Sequence, residues 1–393
     1  MDLEQQLAQA SGKKTPHLPS FFDLSKEKDI TAVKKLLSEK DVSSVIDDYE
    51  EEEKELFGIM NPSKVYTDGF EREFQAYREK LNRASPAWQR GVWVYYPWRN
   101  TLSHILPEKD FYTVRTARNR NLITAEEQQK FYNATVGIAG LSVGSSIALA
   151  LTLQGGPKKM KLADMDNLAL SNTNRVLAGV ESLGIPKVEV AARRIYEINP
   201  YSKIKLFPEG LTQKNISSFF EGLDIVVDEL DNIAVKYLLR EEAKKKKIPV
   251  VMGADNGDNA VIDIERYDIE SDLEFFHGRL GKVTYEELSK LDKFGIGKTI
   301  TKHIGPENVT VRMQESLLEM GKTIVSWPQL GGAAMINGAA IAYSVRKILN
   351  GQLLEENRTL VSLDEKLVPD YFSDAEKVKR ESAANVFRKM FGL

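Results

Sequence analysis

The spacing of apolar residues differs between the two parts of the chain. Up to about residue 110, apolar residues recur mostly at three- and four-residue steps, the spacing of helices that bury one face. This spacing predicts helices over 31–60 and 70–81. An apolar and aromatic run over 92–98 predicts a strand or a docking segment.

From residue 135 onward, short apolar runs alternate with helical patterns. Strands are predicted at 135–139, 160–163, 204–207, 223–227, 249–252 and 260–265, and helices at 145–153, 187–198 and 234–244. This alternation predicts an α/β fold with a Rossmann-like, doubly wound and mostly parallel sheet. Residues 268–325 are less regular and suit a lid or crossing segment, whereas 329–350 and 374–390 read as helices.

These patterns predict four regions along the chain. A flexible arm covers 1–28, and a mainly helical N-terminal region covers 29–112. The α/β domain extends over 113–351, and a C-terminal tail with an amphipathic helix covers 352–393.

Composition excludes several classes of protein. Hydrophobic residues make up 42% and charged residues 28%, as in ordinary globular proteins. The net charge of -3 gives no electrostatic reason to expect a nucleic acid partner. Residues 1–20 lack a hydrophobic signal core, and the small-apolar stretch around 331–345 is too short to span a bilayer. We therefore expect a cytoplasmic protein without a membrane segment.

The chain contains no cysteine and only four histidines. It therefore has no disulfide, no four-cysteine zinc site and no thiolate nucleophile of its own. The histidines show no metal-ligand spacing, so no zinc is expected.

A glycine-punctuated turn follows the predicted strand 135–139. Gly137, Gly140 and Gly144 do not form a regular G-x-G-x-x-G motif, but a strand precedes them and a helix follows. Glycines allow a ligand to approach closely, and the amides at a helix start can face phosphate. A tight strand–helix turn without a ligand is the alternative.

Acidic residues end the second predicted strand. Asp164 and Asp166 stand where a doubly wound fold places an acid that holds ribose hydroxyls. This position alone does not distinguish NAD from ATP. A solvated loop carboxylate is the alternative for either residue.

Two cations and a third acidic site favour a nucleoside triphosphate. Arg175 supplies a forked donor for phosphate oxygens, and Lys187 supplies a point charge. Asp231 follows a buried strand at the carboxyl edge of the sheet, where a carboxylate can bind Mg²⁺. Each cation could instead be a surface residue, and Asp231 could instead cap the following helix.

Five short motifs in order carry a family resemblance. They are Asp164-x-Asp166, Ser171-Asn172-x-Asn174-Arg175, Gly184-x-Pro186-Lys187, Asn199-Pro200 and Asp231-Asn232. With them, residues 118–267 resemble the ThiF/MoeB-type adenylating domain of the ubiquitin-activating enzyme superfamily. Residues 1–110 and the C-terminal tail lie outside the shared pattern.

The resemblance implies adenylation of a carboxylate on a small protein or peptide, in a homodimer that uses ATP and Mg²⁺. By position, Asp164 would hold the ribose, and Asp231 would bind Mg²⁺. Asn172, Arg175 and Lys187 would contact the phosphates. Arg118 and Arg120 are the candidates for the N-terminal arginine that reaches the phosphates in the family, often from a partner subunit.

The chain departs from the family pattern in three respects. The glycine turn is spaced differently, and both the zinc-binding cysteine pairs and the catalytic cysteine found in some members are missing. An enzyme of this kind would stop at the acyl-adenylate. A nucleotide-binding scaffold without turnover and an NAD-dependent oxidoreductase are the alternatives.

Overall fold

The computed structural model describes residues 2–10 and 15–393, with only the backbone for 8–10. It divides into two compact units. Unit 1 comprises the described residues up to Thr124 together with Tyr196–Tyr201, and unit 2 comprises Ala125–Ile195 and Ser202–Leu393. Part of the predicted arm over 1–28, namely Met1 and 11–14, lies outside the described residues. The predicted boundaries at 28, 112 and 351 stay predictions.

Unit 1 combines helices with a four-stranded sheet in the order β1-β3-β4-β2. Its elements are α1 (Leu3–Ala10), β1 (Ser20–Phe22), α2 (Glu27–Ser38), β2 (Ser44–Asp47), α3 (Tyr49–Met60), α4 (Phe70–Ala84), β3 (Val92–Tyr96), β4 (Thr101–Ile105) and α5 (Glu108–Thr116). Strand β2 runs parallel to β4, and the other pairs are antiparallel. The strand predicted within 92–98 is confirmed as β3.

The single helix predicted over 31–60 is wrong. Helix α2 ends at Ser38, and β2 separates it from α3. The β-branched residues Val45 and Ile46 pair with Leu102 and Ser103 of β4. Their apolar spacing fits either structure over so short a run, and pairing with a strand more than fifty residues away decides between them.

Unit 2 contains the remaining helices and strands. They are α6 (Ala125–Asn133), β5 (Thr135–Ala139), α7 (Gly144–Leu153), β6 (Lys159–Ala163), α8 (Lys187–Ile198, whose last turn belongs to unit 1), β7 (Lys203–Phe207), α9 (Ile216–Phe220), β8 (Ile225–Asp228), α10 (Ile233–Lys246), β9 (Val250–Asn256), β10 (Asn259–Glu265), α11 (Tyr285–Ser289), α12 (Lys293–Ile304), α13 (Val311–Leu318), α14 (Gly331–Leu349), β11 (Asn357–Val361), α15 (Asp364–Leu367) and α16 (Asp374–Phe391).

The predicted α/β fold with a mostly parallel sheet is confirmed. Seven strands follow the order β11-β10-β9-β8-β5-β6-β7. The five strands from β7 to β9 are parallel, while β10 and β11 add an antiparallel edge. The strand order reverses at β5, whose neighbours are β6 and β8. In open α/β sheets, ligands bind beyond the carboxyl ends of the strands at such a reversal.

Apolar clusters cover the central strands of this sheet. One cluster joins them to residues of α7, α8 and α14, and a second joins them to α9 and α10. The segment 268–325, predicted to be irregular, contains α11, α12 and α13. Among the helices of the described ranges, none is both long and apolar enough to cross a bilayer.

Candidate functional site

The turn after β5 brings two strand ends into close contact. Gly140 has a φ of +88°, and a β-carbon there would lie 2.2 Å from the carbonyl oxygen of Glu229. Its amide donates to the carbonyl of Ala163, and the amide of Glu229 donates to that of Ala139. Only glycine fits a turn this close, because a side chain would be both strained and in collision.

The other two predicted glycines have different positions. Gly137 lies inside β5, where a β-carbon would meet the side chains of Leu223 and Phe219 at 2.6 and 3.0 Å. Gly137 therefore packs in the core before the turn begins, and its predicted role in cofactor binding stays a prediction. Gly144 begins α7 and packs near Ile138.

Asp164, at the end of β6, is fixed by backbone amides. Its carboxylate accepts hydrogen bonds from Leu141 N at 2.7 Å and from Asp166 N at 2.8 Å. Burial raises its pKa, and the two amides and Lys187 oppose this shift. Each oxygen has a further lone pair, so the carboxylate can still accept ribose hydroxyls.

Lys187 lies with these aspartates. Its Nζ is 2.8 Å from Asp166 Oδ2 and 4.0 Å from Asp164 Oδ1, and the residue is 7% exposed. The backbone amide of Lys187 also donates to the carbonyl of Asp166. The cation predicted to contact phosphate is thus ion-paired at the Asp164 end of the site.

Arg175 has a separate set of neighbours. Its Nε donates to Ser142 Oγ at 2.8 Å, in the turn that follows Gly140. Burial lowers the pKa of Arg175, and the carboxylates of Asp255 and Asp231 oppose this shift. Arg175 therefore shares one cavity with Ser142 of the β5 turn, with Asp231 in the loop after β8, and with Asp255 of β9.

Asp231 is exposed and does not cap the helix after it. Asn232 is the N-cap of α10, because its Oδ1 accepts from Ala234 N at 3.0 Å and from Val235 N at 3.2 Å. The alternative in which Asp231 serves as the cap is therefore wrong. Asp231 lines the same cavity as Arg175.

Asp255, in β9, is a residue of this site that the sequence analysis missed. Its Oδ1 accepts from Asn337 Nδ2 at 2.6 Å, and its Oδ2 lies 3.4 Å from Gln329 Nε2. Burial raises its pKa to about 6. Two features of the sequence could have indicated Asp255. It follows a predicted strand by three residues, and its partner Asn337 is a polar residue in an otherwise apolar stretch.

The predicted phosphate-site residue Asn172 lies in the loop after β6. Its Oδ1 accepts from Ala169 N at 3.0 Å, so the side chain stabilises a turn. Arg118 and Arg120 are exposed residues of unit 1, in and just after a short 3₁₀ turn. Their predicted roles, like those of the other site residues, stay predictions.

A cavity of about 410 Å³ in unit 2 connects Arg175, Asp231 and Asp255. Its polar lining includes Ser142, Arg175, Asp231, Asp255 and Gln329. This volume is within the range of small-molecule sites, about 300–1,000 Å³.

The acidic residues fit Mg²⁺ better than a metal that needs a full protein cage. Within residues 2–10 and 15–393, no group of three or more His, Cys, Asp or Glu side chains could hold a metal ion. Mg²⁺ usually takes only one or two carboxylates together with substrate phosphates. The exposed carboxylate of Asp231 meets that requirement.

Comparison of the sequence with known proteins identifies the family to which the chain belongs. The model of the ThiF family matches residues 116–265. An uncharacterized protein of Mycobacterium tuberculosis, MT1398, is 36% identical over 305 residues, which is 77% of this chain and 42% of that protein. The chain thus spans less than half the length of this relative.

Two further relatives have names that state an activity. The tRNA threonylcarbamoyladenosine dehydratase of Bacillus subtilis is 30% identical over 209 residues, covering 52% of this chain and 80% of that enzyme. The sulfur carrier protein adenylyltransferase of Thermus thermophilus is 31% identical over 130 residues, covering 33% and 48%. The predicted resemblance is confirmed, and the chain belongs to the ThiF family.

Proposed function

We propose that this protein uses ATP and Mg²⁺ to adenylate a carboxylate on a small protein or peptide. The observation that carries the proposal is one cavity that joins Arg175 to two carboxylates, next to the glycine turn that holds Asp164. The name of the adenylyltransferase relative from Thermus thermophilus supports the same class of reaction.

The reaction requires charge neutralisation and alignment more than a covalent nucleophile. A carboxylate oxygen of the substrate attacks the α-phosphorus of ATP. The bond from that phosphorus to the bridging oxygen breaks, and pyrophosphate leaves. Both reactants are anions, so a fixed guanidinium that binds the phosphates stabilises the transition state. In this proposal Arg175, whose Nε donates to Ser142 Oγ, supplies that guanidinium.

Asp164 and Asp231 have separate roles in this proposal. Asp164 accepts from the ribose hydroxyls while two backbone amides hold its carboxylate in place. Lys187 stabilises the charge of the adjacent aspartates. Asp231 would hold Mg²⁺, which when bound neutralises charge on the phosphates.

The proposed reaction ends at the acyl-adenylate on this chain. The sequence contains no cysteine, so the activated carboxyl cannot become a cysteine thioester here. An external amine, thiol or sulfide would accept it. The same proposal includes assembly as a homodimer. It also includes a contact between the phosphates of ATP and either Arg118 or Arg120.

Titration calorimetry with ATP–Mg²⁺ and with NAD⁺ tests the proposal. We expect wild-type protein to bind ATP–Mg²⁺, and Arg175→Ala to bind it at least tenfold more weakly. The control is Arg312→Ala, which changes an exposed arginine of α13 outside the cavity lining.

The outcomes separate the candidate functions. Binding of NAD⁺ instead of ATP would indicate the oxidoreductase alternative. ATP binding without pyrophosphate exchange across a panel of peptide carboxylates would indicate the scaffold. Equal ATP affinity in both arginine variants would remove Arg175 from the site.

A further inference from the structure

The cavity has a second part, which the chemistry of ATP does not use. Apolar side chains from three helices and a connecting loop line it: Ile300, Ile304, Val309, Met313, Leu317 and Phe387. We call these six residues the apolar compartment. Met313, Leu317 and Phe387 are at most 7% exposed and pack together with Val309.

The compartment also borders a buried polar atom without a protein partner. His303, between Ile300 and Ile304 on α12, lines the cavity and is 2% exposed. Its Nε2 lies 3.5 Å from Met252 Sδ, whereas its Nδ1 has no hydrogen-bond partner among the described residues. Burial, together with Arg240 and other nearby cations, lowers the pKa of His303 well below its usual value.

The neutral form of His303 that its burial favours adds no charge to this wall of the cavity. The hydrophobic residues and the open volume around them suit a ligand more than a solvent-filled space.

The compartment is continuous with the candidate phosphate site. The same cavity is lined by Arg175 and Asp231 and by the six apolar residues. A carboxylate held near Arg175 for attack on ATP can therefore extend within one cavity toward the apolar wall.

We propose that the apolar compartment binds the apolar body of the carboxylate substrate. The inference rests on the proposed adenylation and specifies the chemical group next to the carboxyl. The acid carries an aliphatic or aromatic group next to its carboxyl, either as a free acid or as the C-terminal residue of a peptide. A C-terminal glycine has no side chain that fills the compartment.

Binding of a homologous series to the wild-type protein, without ATP, is the primary test. Acetate, butanoate, hexanoate and octanoate represent free acids. N-acetylglycine and N-acetylleucine represent C-terminal residues. Each buried methylene strengthens binding by about fourfold, so affinity should rise steeply along the first series. A larger gain from N-acetylglycine to N-acetylleucine than that slope predicts would identify a peptide source.

A matched pair of variants locates the binding. Met313→Trp fills the compartment, whereas Met390→Trp makes the same change at a 43% exposed position of α16 outside the lining. We expect octanoate binding to fall at least tenfold only in Met313→Trp. Unaltered ATP–Mg²⁺ binding in both variants shows that each is folded.

Flat affinity along the acid series would overturn the inference, as would an equal loss in both tryptophan variants. Neither result affects the ATP titration, which tests adenylation separately. A steep series in a protein that does not bind ATP would reject the adenylation proposal and leave the compartment as a binding site for apolar acids.

Discussion

Asp231 and Asn232 are adjacent residues with different tasks. Asn232 caps α10 through two backbone amides, whereas Asp231 is exposed and lines the cavity. Removing the cap should therefore destabilise the fold. Removing the carboxylate should affect the proposed metal site only.

We predict that Asp231→Ala abolishes the Mg²⁺ dependence of ATP binding and leaves the free energy of unfolding unchanged. Asn232→Ala should lower that free energy by about 1 kcal/mol, the usual effect of losing a polar N-cap. Urea unfolding and ATP titration with and without Mg²⁺ measure the two effects. Full Mg²⁺-dependent binding by Asp231→Ala would exclude this residue as the metal ligand.

The raised pKa of Asp255 leads us to predict that the free energy of unfolding depends on pH. Its pKa is raised from 3.8 to about 6, so between these values the folded state keeps a proton that the unfolded chain releases. The contribution of Asp255 to the free energy of unfolding therefore falls as pH rises from about 4 to about 6. Above about pH 6 it stays below its value at pH 4. A shift of this size corresponds to about 3 kcal/mol.

Asp255→Asn removes the ionisation and keeps one acceptor for Asn337. We expect the variant to be about 2 kcal/mol more stable than wild type at pH 8, because loss of one hydrogen bond offsets part of the gain. The advantage should shrink as pH falls below 6. Urea unfolding across this range measures it, with the exposed Asp258→Asn in the same hairpin as control. A constant difference at every pH would contradict the assignment.

At the scale of elements, the turn between β5 and α7 sets the geometry of the site. Gly140→Ala should lower the free energy of unfolding by about 2–4 kcal/mol, because its positive φ and its approach to Glu229 both exclude a side chain. Gly332→Ala is the control, since a β-carbon there meets nothing within 4 Å and the position is helical. Thermal and urea unfolding compare them; an equal effect at both positions would contradict the role of the turn.

The elements also show what sequence alone could predict. The alternation of helices and strands predicted the parallel sheet, because each strand–helix–strand unit is formed by residues close together in the sequence. Strand β2 was missed because Val45 and Ile46 become a strand only through pairing with β4. Asp255 was missed for a related reason, since it joins Arg175 only when β9 and the loop after β6 are placed in the folded sheet.

At the scale of the whole molecule, the cavity is lined by residues that are far apart in the sequence, the first being Ser142 and the last Phe387. Ser142, Arg175 and Asp231 follow β5, β6 and β8, whose carboxyl ends meet at one edge of the sheet, so their convergence could be predicted from topology. The six residues of the apolar compartment come from the segment predicted to be irregular and from the C-terminal helix. Helical periodicity indicates that α16 buries a face but does not indicate that Phe387 lines a cavity.

The absence of cysteine leads to a prediction about the whole reaction cycle. An acyl-adenylate that cannot be transferred to a thiol of this chain should persist until an external nucleophile arrives. With ATP, Mg²⁺ and an acid substrate, we expect rapid pyrophosphate exchange but slow release of AMP. Hydroxylamine, which captures activated acyl groups, should accelerate AMP release at least tenfold. N-ethylmaleimide, a thiol reagent, should leave the exchange rate unchanged. An acyl adduct on the chain, detected by intact mass spectrometry, would instead show that another side chain accepts the activated carboxyl.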